Sequence, residues 1–210
     1  MTDFYQKLNV ELDNATIVEL NQYIDSTGHR TSREIVYGAN DFLRRTYGES
    51  YFKNYPLRKT GGPGKNEACF LKIPLDILEK STLAPVINYM APRYIVEPFI
   101  FKMPPNYYLS WHKDSVRTVG INIPIDNLKD SATIFTEDNV TNDDELITKK
   151  CMYVNKVPYE LGSMYILDVS KYHCVFNLSN QNRFIIIAMW DSKKDLYNDV
   201  LEHLKSGNII

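Results

Sequence analysis

Short segments rich in β-branched and aromatic residues follow one another from about residue 91 to about residue 190. Turn-forming residues separate them, which is typical of consecutive strands. The segments are YIVEPFIFKM, RTVGINIPI, ATIFT, KCMYVNKV, SMYILDV, HCVFNL and RFIIIAMW. This pattern predicts an antiparallel sandwich or barrel, so we expect a mainly β core over residues 91–190.

The parts on either side of this core have the apolar spacing of helices. We expect a helical N-terminal part over about residues 1–90, in which Asn14 caps a helix over TIVELNQYI. The segment TSREIVYGANDFLRRTYG predicts a second helix there. SKKDLYNDVLEHLKSG predicts a C-terminal helix within about residues 191–210. The chain of 210 residues has no internal repeat and fits one domain, residues 1–210.

Two polar segments predict connections without regular structure. Gly61–Gly64 is a run of three glycines and one proline, and residues 137–145 are acidic. Both are interpreted as exposed connections, with the alternative that they close over a bound substrate.

Composition limits the setting and the partners. The formal net charge of -2 gives no overall basic field, so duplex nucleic acid is not an expected partner. Cys69, Cys151 and Cys174 are few and widely spaced, which favours a reducing, cytoplasmic setting. No apolar run approaches the roughly 20 residues of a membrane span. The N-terminal residues lack an apolar signal core, so we expect neither secretion nor membrane insertion.

His112, Asp114 and His173 are the candidate metal ligands. Alternate side chains of a strand share a face, so the HKD motif would direct His112 and Asp114 the same way. His173 lies in another predicted strand, where a charged imidazole would be unfavourable unless paired or coordinated. Two imidazoles and one carboxylate form the facial triad of non-haem Fe(II) oxygenases. The alternatives are a chance surface motif and a hydrogen-bonded core histidine.

Arg183 is the candidate anion clamp. It follows His173 by ten residues and opens the apolar run RFIIIAMW. A guanidinium is a rigid fork that binds a carboxylate at two points. HCVFNL and RFIIIAMW, joined by SNQN, are predicted to form a hairpin that brings His173 and Arg183 together. The alternative is a salt bridge to a nearby acid or a solvated turn residue.

The spacing of the HKD motif, His173 and Arg183 resembles that of the Fe(II)/2-oxoglutarate-dependent dioxygenases, over roughly residues 91–190. PPNYYLSWHKD is similar to the segment before the metal motif in prolyl-hydroxylase-type members. RTVGINIPI and HCVFNLSNQNRFIII are also similar to aspartyl/asparaginyl-hydroxylase-type enzymes. Many of those enzymes lack the carboxylate ligand, so the presence of Asp114 is a departure from them.

The resemblance implies a double-stranded β-helix, which is a jelly roll of the cupin type, with Fe(II) near one mouth. It implies that Fe(II) binds through the three candidate ligands and that Arg183 binds the distal carboxylate of the co-substrate 2-oxoglutarate. Asn122 and Tyr108 would lie near this co-substrate, and Arg117 would hold an acidic group of the substrate. For Asn122 the alternative is an outward-facing polar residue, for Tyr108 it is amphipathic packing, and for Arg117 it is an ion pair or a solvated cation.

These observations predict a dioxygenase that uses Fe(II), 2-oxoglutarate and dioxygen to hydroxylate its substrate. The resemblance favours a protein side chain or an amino acid as that substrate. Two alternatives stay open: an oxygenase that acts on a nucleotide or nucleobase, and a non-enzymatic jelly-roll binding module with a structural metal.

Overall fold

A computed structural model describes residues 4–27, 69–90, 96–114, 117–126, 128–137, 154–190 and 197–210. The predicted second helix and the Gly61–Gly64 segment lie outside these residues. The acidic segment also lies outside them, except for the exposed Glu137.

The described residues form ten strands and four helices. The strands are β1 (Tyr5–Glu11), β2 (Cys69–Lys72), β3 (Val96–Met103), β4 (Tyr107–His112), β5 (Val119–Pro124), β6 (Ser131–Thr136), β7 (Val154–Lys156), β8 (Ser163–Asp168), β9 (Tyr172–Asn177) and β10 (Arg183–Trp190). The helices are α1 (Asn14–Ser26), α2 (Leu75–Lys80), α3 (Leu83–Met90) and α4 (Tyr197–Ser206). None of these four helices has both the length and the hydropathy needed to cross a membrane.

The strands pair into two antiparallel sheets. The large sheet has the order β1-β8-β5-β10-β3-β2, and the small sheet has the order β4-β9-β6-β7. Side chains of the two sheets meet: Phe135 of the small sheet packs with Tyr165 and Leu167 of the large sheet. The sheets therefore enclose an interior, as expected for the predicted mainly β fold with flanking helices.

Strand β10 shows how the sequence divides the large sheet into two faces. Successive side chains of a strand point to opposite faces. The even-numbered residues from Phe184 to Ala188 belong to a large apolar core together with the helices. Ile185 and Ile187 instead pack with Tyr107 of the small sheet. Alternation places Arg183 on this second face, inside the barrel.

All four helices cover the outer face of the large sheet. Leu20 of α1, Val86 of α3 and Leu204 of α4 are each at most 1% exposed and share the apolar core with Ile100 and Ile186. Burial of each such side chain contributes roughly 1.5–3 kcal/mol. The helices therefore seal one side of the sheet and leave its other face for the interior.

The N-terminal part differs from the prediction in two respects. Strands β1 and β2 come from the region expected to be helical, and they form the two edges of the large sheet. In β1 only Leu8 is buried, so its sequence carries little of the apolar alternation that identifies a strand. The cap of α1 is Asp13 rather than Asn14, and its carboxylate accepts from the Thr16 backbone N–H at 2.8 Å.

The predicted hairpin of the last two core strands is wrong. Strand β9 lies in the small sheet and β10 lies in the large sheet. The buried Asn177 amide donates to the carbonyls of Met103, Pro104 and Gln181, and the Ser179 hydroxyl donates to Asn177 Oδ1 at 2.7 Å. These bonds tie the short connection to the chain between β3 and β4, and so direct it across to the other sheet.

Candidate metal centre

His112, Asp114 and His173 converge at one point. Each contributes one ligand atom, and these atoms all lie within 4.8 Å of one another. His112 ends β4 and pairs across the small sheet with His173 of β9, which places their ring centroids 4.2 Å apart. Asp114 follows β4, and its backbone N–H donates to the Val169 carbonyl at 3.0 Å. The three side chains are therefore positioned by two paired strands and one backbone hydrogen bond.

The environment of His173 favours a ring that can bind a metal. The side chain is buried, and its Nδ1 lies 2.9 Å from the Lys171 carbonyl, to which it can donate. This bond selects the tautomer whose Nε2 lone pair is available. Burial lowers the pKa of His173 to about 4, so the ring is neutral near pH 7.

The environment of Asp114 favours an ionised carboxylate. Burial alone would raise the pKa of Asp114, but the Arg117 guanidinium and the imidazoles of His112 and His173 outweigh it. They hold this pKa well below the usual value of 3.8. Asp114 Oδ2 accepts from Arg117 Nε at 2.5 Å, whereas Oδ1 lies 3.5 Å from His112 Nε2. Two imidazoles and one carboxylate of this kind fit a divalent transition metal such as Fe(II) and leave coordination positions open.

Arg183 forms a second polar centre in the barrel. The side chain is 1% exposed. Its Nε, Nη1 and Nη2 have no hydrogen-bond partner among the described residues. Its Cζ lies 5.4 Å from the centroid of the Tyr159 ring. Because an uncompensated buried charge is strongly unfavourable, this guanidinium fits a site that an anion occupies.

Tyr159 connects Arg183 to other polar side chains of the interior. The Asn122 amide donates to the Tyr159 hydroxyl at 2.8 Å, and this hydroxyl lies 3.2 Å from Thr133 Oγ1, to which it donates. Burial raises the pKa of Tyr159, so the phenol stays protonated. Hydroxyl and guanidinium groups are both donors suited to a carboxylate.

Strand β6 relates the two centres to each other. Phe135 pairs with His173 across the small sheet, and their rings lie 5.4 Å apart. Thr133, two residues away, pairs with Val175 and contacts Tyr159. Two residues of a strand span roughly 6–7 Å. Tyr159, which lies beside Arg183, therefore contacts β6 two residues away from the position that pairs with His173.

Asp126 is a further acidic group near Arg183. Its Oδ1 accepts from the Phe184 backbone N–H at 2.7 Å. Burial raises the pKa of Asp126 to about 7, although the Phe184 N–H and the charge of Arg183 act in the opposite direction. The carboxyl group is therefore partly protonated near neutral pH and compensates Arg183 only in part.

The other predicted site residues have different surroundings. Asn122 lies in the interior and contacts Tyr159. Arg117 is held by Asp114, and its proposed contact with substrate stays a prediction. The backbone of Tyr108 lies in β4, but its side chain lies outside the described part of the structure.

Sequence reasoning missed Tyr159, Thr133 and Asp126. Tyr159 is one of 15 tyrosines and follows β7 without a motif. Thr133 looked like an ordinary strand residue. The position of Asp126, directly after the strand GINIPI and its last isoleucine, was the one available signal for a polar group at the end of a core strand.

Comparisons with known proteins identify the fold. No protein-family model matches the chain, and no curated protein matches it in sequence. The structure is similar to that of AviO1 from Streptomyces viridochromogenes, with a TM-score of 0.53, 16% identity and 91% of each chain covered. It is similar to a prolyl-4-hydroxylase from Pseudomonas putida, with a TM-score of 0.52, 12% identity and coverage of 91% of this chain and 94% of that one.

A third similar structure is the epimerase SnoN in complex with Fe3+, alpha ketoglutarate (2-oxoglutarate) and nogalamycin RO. Its TM-score is 0.51 at 12% identity, with 90% of this chain and 79% of that chain covered. These similarities confirm the predicted jelly roll. The chain has a double-stranded β-helix, or jelly-roll, fold like that of these three structures.

Proposed function

We propose that the protein is an Fe(II)- and 2-oxoglutarate-dependent dioxygenase. His112, Asp114 and His173 would hold the metal, and Arg183 would bind the distal carboxylate of 2-oxoglutarate. The observation that carries this proposal is the buried Arg183 guanidinium, which lacks a hydrogen-bond partner among the described residues and shares the barrel interior with the three candidate ligands. A structural metal site alone would not require such a guanidinium.

The residues around Arg183 suit the co-substrate. The guanidinium fork can bind both oxygens of a carboxylate. The Tyr159 ring lies beside this fork, with its centroid 5.4 Å from Arg183 Cζ, and its hydroxyl belongs to the polar set formed with Asn122 and Thr133. The neighbouring apolar side chains of Ile185, Ile187 and Val175 exclude water, which strengthens these charge-assisted bonds.

The chemistry would come from the metal that His112, Asp114 and His173 would hold. Fe(II) there, with 2-oxoglutarate, would supply the activation of dioxygen, coupled to oxidative decarboxylation of the co-substrate to succinate and carbon dioxide. His173 contributes a neutral ring whose orientation the Lys171 carbonyl fixes. Asp114 contributes the negative charge that partly neutralises the metal. The protein thus supplies geometry, charge and a dry interior.

For the primary reaction we propose hydroxylation of a protein side chain or an amino acid. Support comes from the structural similarity to a prolyl-4-hydroxylase and from the PPNYYLSWHKD segment. The same fold also serves the epimerase SnoN, so the fold by itself is compatible with other outcomes. Mass spectrometry of lysate proteins and metabolites incubated with the active protein tests this assignment. Products heavier by one oxygen support hydroxylation, and the absence of any product of increased mass contradicts it.

An anaerobic titration tests the dioxygenase assignment. The Fe(II)-loaded protein should develop a weak visible charge-transfer band when 2-oxoglutarate is added. On admission of dioxygen, this complex should form succinate slowly even without a primary substrate. The same titration with succinate in place of 2-oxoglutarate is the control, because succinate lacks the keto acid that chelates the metal. A protein that binds Fe(II) but develops no band with 2-oxoglutarate would be a metal-containing binding module.

A further inference from the structure

The guanidinium of Arg117 holds one of the candidate metal ligands. Arg117 follows Asp114 by three residues, and its Nε donates to Asp114 Oδ2 at 2.5 Å. Both side chains are largely buried, with 15% of Arg117 and 16% of Asp114 exposed. Burial of this kind limits screening by solvent, so the ion pair orients the carboxylate more firmly than a surface pair would.

The two oxygens of Asp114 therefore have different surroundings. Oδ2 is occupied by Arg117, whereas Oδ1 lies 3.5 Å from His112 Nε2 and faces the ligand cluster. The Asp114 backbone is fixed by its bond to the Val169 carbonyl. With both the backbone and Oδ2 held, the carboxylate presents Oδ1 alone to a metal ion.

Packing fixes the guanidinium of Arg117 in turn. It lies over Gly120, where a Cβ atom would come within 3.3 Å of Arg117 Nη1 and 3.6 Å of Arg117 Cζ. Arg117 Nη1 is buried and has no hydrogen-bond partner among the described residues. The hydrogen bond that the structure records for this guanidinium is the one to Asp114. The absence of a side chain at Gly120 thus makes room for the Arg117 guanidinium, which binds the candidate ligand Asp114.

We propose that Arg117 is a positioning residue that keeps Asp114 a one-oxygen ligand. This inference rests on the proposed function. If both oxygens of Asp114 bound the metal, they would fill one of the positions that 2-oxoglutarate and dioxygen require. By occupying Oδ2, Arg117 keeps that position open.

The positioning role and simple electrostatics predict opposite effects on metal affinity. A guanidinium close to a dication repels it, so removal of that charge alone would tighten metal binding. Loss of a group that orients a ligand instead weakens metal binding, typically about 10- to 100-fold. The sign of the change therefore separates the two roles.

The experiment measures anaerobic Fe(II) affinity and the visible ligand-field spectrum of the Co(II)-loaded protein, and needs no turnover. Arg117→Gln should lower Fe(II) affinity by roughly 10- to 100-fold. It should also alter the Co(II) spectrum, since a two-oxygen carboxylate raises the coordination number. Arg117→Lys should recover part of the Fe(II) affinity and part of the wild-type Co(II) spectrum, because an ammonium can still bind Asp114 Oδ2.

Lys113→Gln is the matched control. It removes the same charge from the residue between two candidate ligands, but the Lys113 ammonium lies over the Tyr172 ring, 4.4 Å from its centroid. Its Fe(II) affinity should be unchanged or slightly higher. An Arg117→Gln variant that behaves like Lys113→Gln, with an unchanged Co(II) spectrum, would overturn the positioning role.

Gly120→Ala provides a second measurement should Arg117→Gln fold poorly. The added methyl group displaces the guanidinium by a few tenths of an ångström while the charges stay in place. Gly120→Ala should shift the Co(II) spectrum in the same direction as Arg117→Gln but by a smaller amount. A spectrum without any shift would contradict the proposal. A wild-type protein that binds neither Fe(II) nor 2-oxoglutarate would refute the proposed function itself. Normal wild-type binding with unaffected variants would refute this inference alone.

Discussion

The barrel contains two polar centres that differ in how their charges are compensated. The His112–Asp114–His173 cluster is balanced: Arg117 neutralises the carboxylate, and His173 is neutral because burial lowers its pKa to about 4. Arg183 carries a charge without a hydrogen-bond partner among the described residues, and the nearby Asp126 is only partly ionised near pH 7. The carboxylate of the first centre has an internal counterion, whereas the guanidinium of the second has no hydrogen-bonded anion among the described residues.

This difference indicates what each centre can bind. The neutral imidazole and the carboxylate of the first centre are ligands that suit a metal cation, which would take the place of the contacts among these side chains. An uncompensated guanidinium suits an anion that enters the interior. The proposed co-substrate, 2-oxoglutarate, has both a keto acid that chelates a metal and a second carboxylate, so it would bind at both centres.

The largest effect should follow from loss of the anionic ligand. Asp114→Ala removes the one carboxylate of the metal cluster, so Fe(II) affinity should fall by roughly 100-fold or more, beyond what loss of a supporting group produces. Anaerobic competition with a coloured chelator measures it. Glu160→Ala, at an exposed position, should bind Fe(II) normally. Retained affinity in Asp114→Ala would show that the metal binds elsewhere.

Removal of the Arg183 guanidinium should weaken the binding of 2-oxoglutarate and leave the binding of Fe(II) nearly unchanged. Charge-assisted hydrogen bonds contribute about 1.5–3 kcal/mol each. Arg183→Ala should therefore raise the apparent KM for 2-oxoglutarate by roughly ten-fold to several hundred-fold. Fe(II) affinity should change little. Arg183→Lys should recover part of the loss, since it keeps the charge without the fork. Unchanged dependence on 2-oxoglutarate would remove the main support for the dioxygenase.

A substitution of similar volume at the same position sharpens this test. Arg183→Met replaces the uncompensated charge by an apolar side chain, and even for paired buried charges such a replacement can stabilise by about 1–4 kcal/mol. In the absence of 2-oxoglutarate its melting temperature should exceed that of the wild type, and added 2-oxoglutarate should no longer raise it. A less stable variant would indicate that the guanidinium is already compensated in the free protein.

A further effect concerns the pH dependence of stability. The pKa of Asp126 is about 7 in the folded protein, against an ordinary value of 3.8. Between these two values of pH, the folded state holds a proton that the unfolded chain has released. The resulting stability is complete below about pH 4 and is lost as the pH rises through about 7. Asp126→Asn should remove this contribution, so its free energy of unfolding, relative to wild type, should increase over that range.

The same titration should affect 2-oxoglutarate binding. Above about pH 7 the Asp126 carboxylate competes for Arg183, which weakens co-substrate affinity by a few-fold, on the order of 0.5–1 kcal/mol. Isothermal titration calorimetry at pH 6 and pH 8 compares wild type with Asp126→Asn. An equal pH dependence in the two proteins would show that Asp126 does not act on Arg183.

Local sequence pattern predicted the core strands because they are short, rich in β-branched and aromatic residues, and bounded by turn residues. RFIIIAMW and SMYILD became β10 and β8 with nearly the expected bounds. It failed for β1, whose residues are mostly polar and are held by pairing with β8. For α2 and α3 it predicted only a helical region and not the bounds, because both helices are short and depend on packing against the large sheet rather than on their own helical propensity.

The candidate ligands could be predicted because their chemistry is carried by residue type and spacing. The surroundings of Arg183 could not, because Tyr159, Thr133 and Asp126 come from separate elements that meet only in the folded barrel. The path between β9 and β10 was also beyond local pattern, since the choice of sheet depends on the hydrogen bonds of Asn177 to distant carbonyls.

The crossing of the chain from β9 in the small sheet to β10 in the large sheet has a consequence for selectivity among diacids. His112 and His173 belong to the small sheet, and Arg183 belongs to the large sheet. Under the proposed function, the distance between the two ends of a bound 2-oxoglutarate would be set by the spacing of the two sheets. Keto diacids one methylene shorter or longer than 2-oxoglutarate should then reach one end of the site and miss the other.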